Sequence, residues 1–139
     1  MVISFGCQQK SNDEHEGHDA HAEDEVEATS GNQELYNEVM KIHNEVMPKM
    51  EDIHRAKQEL QEKIQKTPRL SEADRIKLVA MIAKLDSAGE GMMVWMRQFS
   101  PLPDSLGEEK ARSYLEQEME RVKKVRANIL EALEEAKAR

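Results

Sequence analysis

At 139 residues, with 35% charged and only 4% aromatic side chains, the chain has room for one domain and a composition that disfavours an all-β fold. Its net charge of -8 is concentrated in residues 8–32, where eight acids face the single base Lys10; the remaining 19 bases and 20 acids form no basic stripe, which argues against a nucleic-acid partner. No apolar run reaches the roughly 18 residues needed to cross a bilayer, and a single cysteine, Cys7, excludes an intrachain disulfide.

The chain opens on Met1-Val2-Ile3-Ser4-Phe5-Gly6-Cys7, an apolar segment that sets small Gly6 before the cysteine and gives way to Gln8-Gln9-Lys10. This resembles the end of a bacterial lipoprotein signal and predicts lipidation at Cys7; the alternative is an ordinary start with an unmodified thiol. Residues 8–32 have no hydrophobic period and read as a disordered acidic tether. Within it, His15, His18 and His21 stand three apart among carboxylates. Imidazole and carboxylate together suit Zn(II), Cu(II) or Ni(II), but a flexible chain loses entropy in closing on an ion, so any binding is weak. A solvated spacer is the competing reading.

Residues 33–139 are expected to form an all-α, antiparallel, up-down-up three-helix bundle, with helices near 33–66, 71–99 and 105–137. Ser30 and Gln33 have capping-box spacing ahead of the first. Its apolar seam is Leu35, Val39, Ile42, Val46, Ile53, Leu60 and Ile64, widened by Met40, His43, Met47, Met50 and His54. Pro48 falls inside the seam and should kink the helix just before it, or split it in two. Ser71 and Asp74 frame the second helix, whose seam is Leu78, Ile82, Leu85, Met92, Met96 and Phe99, with Gly89 in the one gap. Ser100-Pro101-Leu102-Pro103-Asp104 is a turn. Ser105 and Glu108 suggest a third capping box, followed by a stripe of Leu115, Val122, Val125, Ile129, Leu133 and Ala136.

Folding back about the turn near Arg69 sets Met47 level with Gly91, so His43, Met47, Met92 and Met96 should meet. Thioethers and an imidazole could hold Cu(I) in a sheltered site. Methionines filling irregular space around a proline and two glycines are the competing account, in which no cofactor is bound. Glu51 and His54 have the Glu-x-x-His spacing of di-iron bundles, but no second copy exists. There is no Gly-rich phosphate loop, nucleophile elbow or haem-attachment motif, so no catalytic residue and no enzyme activity is expected.

The segments Leu35–His43, Met47–His54 and Met92–Phe99, with their Met-x-x-His and Met-Met-x-Trp-Met patterns, resemble a family of small Bacteroidetes envelope proteins that carry the label viral A-type inclusion protein. The resemblance implies a lipid-anchored helical protein of the cell envelope, facing the periplasm or the outside. On this reading the chain is a non-enzymatic interaction or scaffolding module, held at a membrane through Cys7 and engaging an unidentified protein. A copper-binding role for His43, Met47, Met92 and Met96 is the second expectation, and a homodimer is open, because a partner seam and a bundle seam read alike.

Overall fold

The computed structural model describes residues 31–138. Among these the chain is all-helical, as the hydrophobic periods predict: α1 (Gly31–Val46), α2 (Lys49–Lys66), α3 (Glu72–Gln98) and α4 (Glu108–Lys137), with one short 3-10 turn at Asp104–Leu106. Together α1 and α2 make the first rod of a three-helix bundle, interrupted at Met47–Pro48. Proline has no N–H to continue the ladder. The Met47 amide still reaches the His43 carbonyl at 2.9 Å, but the next bonds tighten to a three-residue span, Met50 to Met47 at 3.1 Å and Glu51 to Pro48 at 3.3 Å. Of the two expectations at Pro48, a kink or a split, the split is what forms: α1 ends at Val46 and α2 begins at Lys49 across a two-residue turn.

The ends of the helices follow from their chemistry. Thr67 precedes Pro68 and leaves the helical region, with φ -107° and ψ 89°, which stops α2. Ser71 caps α3, its hydroxyl accepting from the Asp74 amide at 3.1 Å as the sequence spacing predicts. The capping box expected at Ser105 does not form. Ser105 lies within the 3-10 turn, and α4 instead starts after Gly107, whose φ of 116° is unfavourable for any residue with a Cβ.

The register is that of an up-down-up bundle. Going up the first rod, His43 faces Met96, Gly89 faces Met50 and Ile53, and Lys57 pairs with Asp86. Along α4 the contacts to α1 advance in parallel, from Asn32 against Glu108 to Glu45 against Arg126. The core is the expected seam: Val39, Ile42, Val46, Ile53, Leu60, Leu78, Leu85, Met92, Val122, Ile129 and Leu133 are buried, joined by Ala88, Trp95, Met119 and Ala132. Gly89 is buried where α3 packs on α2, and a Cβ there would lie in ordinary contact with the Met50 methyl at 3.5 Å. His54, by contrast, is exposed.

The lipobox-like segment with Cys7, the histidine-bearing tether and most of the tail lie outside the described residues.

Candidate functional site

The end of the bundle where α1 begins is built around Asn32. Asn32 is 4% exposed, and its amide nitrogen donates both to the Asp104 carboxylate at 2.9 Å and to the Glu108 carbonyl at 3.0 Å. One short side chain thus holds the first turn of α1 against the first turn of α4, and fixes one oxygen of Asp104. The turn between α3 and α4 is held from its other side, where the Ser100 amide donates to the Tyr114 hydroxyl at 2.6 Å. Behind it the rings of Tyr36, Phe99 and Tyr114 stack in a row, continued inward by Trp95, with centroid separations of 6.1, 6.2 and 4.8 Å.

These supports frame a cleft of 350 Å³, lined by Asn32, Gln33, Tyr36, Pro101, Leu102, Pro103, Asp104 and Leu115. Its chemistry is mixed: two amides, a phenol and an oriented carboxylate stand beside the apolar faces of two prolines and two leucines. Such a lining suits a small, neutral, polyhydroxylated molecule, whose hydroxyls take up hydrogen bonds while its C–H face rests on carbon. The prolines make the turn rigid, so the cleft is largely preformed. Helical periodicity could not reveal it. Asn32 sits among tail residues in the sequence pattern, and its only visible signal was a turn-forming amide just ahead of the first seam residue.

The structure brings His43 and Met96 together, the imidazole Nε2 lying 3.3 Å from the thioether sulfur, while Nδ1 is 3.0 Å from the Asn44 side-chain oxygen. His43 also lies against the Trp95 ring at 6.1 Å. Met92 is fully buried in the core, and Met47 and Met96 pack on it half-buried. Packing around Pro48 accounts for their positions. Among the described residues no group of three or more His, Cys, Asp or Glu side chains is placed to hold a metal ion.

The described residues thus form an all-helical bundle with an open cleft of mixed lining at one end. The chain belongs to the family described as L-arabinose isomerase N-terminal domain, whose model matches residues 20–106. No curated protein and no solved structure matches the chain. The match ends at Leu106, so it spans the first rod, α3 and the turn, while α4, which supplies Leu115, Val122, Ile129 and Leu133 to the core, lies beyond it.

This finding corrects several expectations. The resemblance to Bacteroidetes envelope lipoproteins is replaced by a family named for an enzyme, and with it go the non-enzymatic scaffolding role, the absence of enzyme activity and the copper-binding alternative. The physical reason is visible in the motifs that carried the resemblance. Met92 and Trp95 are buried in the core, and Met96, which touches His43, packs half-buried against it. The lipid-anchored envelope location rested on that resemblance and on Cys7, and it falls with the family assignment; among the described residues no helix is long and apolar enough to cross a membrane.

Proposed function

We propose that the chain serves aldose isomerisation, as the part of an L-arabinose isomerase-related enzyme that binds and orients the sugar. The observation that carries this reading is the coincidence of family match and cleft: of the eight cleft residues, all but Leu115 fall within the matched residues 20–106. In the cleft, Tyr36 offers its phenol and ring face and Asp104 accepts from a sugar hydroxyl, while Asn32, its amide nitrogen already donating to Asp104 and Glu108, holds that carboxylate in place. An aldose and its ketose differ by the position of a carbonyl between neighbouring carbons, so the step needs groups that hold the hydroxyls and exchange protons with them. Asp104, oriented by Asn32, is the carboxylate of the cleft able to take that part.

The test is titration of the full chain with L-arabinose by isothermal calorimetry, together with a colorimetric assay for ketose formation. Saturable binding that disappears in Tyr36→Ala and in Asp104→Asn, with helical circular dichroism retained, is the expected result. A folded chain that neither binds the sugar nor forms ketose refutes the reading.

A further inference from the structure

A second cavity, of 270 Å³, lies in the groove between α3 and α4 and is lined by Gly91, Val94, Trp95, Gln98, Arg121, Lys124, Val125 and Asn128. We propose that it is an oxyanion site that takes the phosphate group of a small molecule. This rests on the groove alone and is independent of the sugar reading.

The first ground is the chemistry of the lining. It holds a guanidinium, an ammonium and two carboxamides, spaced along two neighbouring helices, and no carboxylate. Outside residues 8–32 the chain is near neutral, with 19 bases against 20 acids, so four donor groups without a carboxylate are a local excess. The nearest acid in play is Glu118, one turn before Arg121, which accepts from the guanidinium at 3.0 Å and is itself 3% exposed. That bond occupies one edge of the guanidinium and fixes its plane, as a planar fork requires when it is to meet a second oxyanion. The side chains of Gln98, Lys124 and Asn128 make no hydrogen bond or ion pair among the described residues. Most other cations near α3 and α4 are already committed: Arg97 to Glu90, Lys84 to Glu131 and Glu135, and Lys123 to Glu120.

The second ground is the buried side of the cavity. Trp95 is 5% exposed, and its indole N–H is a buried donor without a hydrogen-bond partner. Buried polar groups are seldom left unmatched, and Glu118 Oε2, on the carboxylate that holds Arg121, is also buried without a partner among the described residues. The third ground is Gly91. A Cβ there would meet nothing within 4 Å, in contrast to Gly89 two residues earlier, whose Cβ would touch Met50. Position 89 is in ordinary packing contact, whereas position 91 faces open space, and glycine there lowers helix stability relative to alanine without any packing reason. What it provides is open access to the floor of the groove.

Trp95 is the chain's only tryptophan, so it reports on this site directly. The experiment is titration of the full chain with inorganic phosphate at constant ionic strength against chloride, read by tryptophan fluorescence and by the thermal midpoint. A saturable fluorescence change with a rise in midpoint is expected. It should weaken at least tenfold in Arg121→Gln/Lys124→Gln, and also in Gly91→Leu, which closes the mouth without altering charge. Circular dichroism establishes that both variants fold. A phosphate response no larger than that to chloride, or one that both folded variants retain in full, overturns the proposal.

Discussion

The two ends of the bundle are built from seams of the same spacing, yet they are buried to very different extents. At the end where α1 starts, three rods run side by side. There Val39, Ile42, Val46, Met92, Trp95, Leu115 and Met119 are all buried, and Asn32 ties the first rod to the third. At the other end α4 stops at Lys137, only two residues beyond the Glu135 that pairs with Lys84. Among the described residues, the first turns of α3 then have α2 alone to pack on. Of its residues 72–81 only Leu78 is buried, while Ile76 and Val79 stand 60% and 53% exposed. The lesson is that periodicity fixes which face of a helix turns inward, whereas the number of neighbours at that level fixes how deeply it is covered.

Matched substitutions of one residue type break this comparison most directly. Leu115 and Leu78 are 4% and 3% exposed, so surface area alone predicts equal costs for Leu→Ala at each. Neighbourhood predicts otherwise. Leu115→Ala opens a void among three rods that cannot collapse and should cost about 3–5 kcal/mol, whereas around Leu78 two helices can relax and water can enter, for about 2 kcal/mol. Urea unfolding of both variants measures the difference, and equal values would show that the two-rod end is as rigid as the other.

Next in size is the Asn32 clamp. Asn32→Ala removes two hydrogen bonds and leaves the buried approach to Asp104 and the Glu108 carbonyl unsatisfied, a loss of about 1–3 kcal/mol. Asn32→Asp keeps the shape but sets carboxylate against carboxylate. It should be the less stable of the two at neutral pH and recover on acidification, as one of the pair takes up a proton. Chemical denaturation at pH 7 and pH 4 checks the order.

Much of this molecule was legible before its structure. The seams of all three rods, the interruption at Pro48, the Ser71 cap and the level at which His43 meets α3 follow from helical period and turn chemistry, which are local. The clamp was not legible, since its partners lie 72 and 76 residues apart and involve one amide with no periodic signal. Nor was the cap at Gly107, because Ser105 and Glu108 have suitable spacing but the chain spends that turn in a 3-10 helix. Family membership was misread for a related reason. Met and His at helical spacing carry the resemblance, and in the fold Met92 lies in the core with Met47, Met50 and Met96 packed against it. Side chains that a core requires carry little information about what a surface does.

The paired glycines sharpen the comparison at a smaller scale. Gly91→Ala places a methyl in open space and should stabilise the chain by about 0.5–1 kcal/mol through helix propensity. Gly89→Ala gains the same propensity and also sets its methyl in ordinary contact with Met50 and Ile53, so its net effect should be at least as large. Thermal midpoints of the two variants, compared in one buffer, give the sign and the order.

The smallest effect expected concerns Lys84, on the flank where α4 approaches its end. Its ammonium donates to Glu131 at 2.7 Å and to Glu135 at 2.6 Å. Those hydrogen bonds, first to Glu131 and then to Glu135, raise its pKa above the ordinary 10.5, with slight desolvation opposing them. A raised value means that the folded state holds the proton more tightly than the unfolded one. The stabilisation is therefore fully present below pH 10.5 and is lost as the pH climbs through the folded-state value. Solvent screens this exposed trio, so the loss should be slight and should shrink further in high salt. Lys84→Met ought to flatten the decline in stability above pH 10 relative to the parent while leaving the neutral-pH value almost unchanged. Parallel denaturation series at pH 8 and pH 11 would show it, and identical slopes for parent and variant would mean that the α3–α4 flank is held by its apolar seam alone.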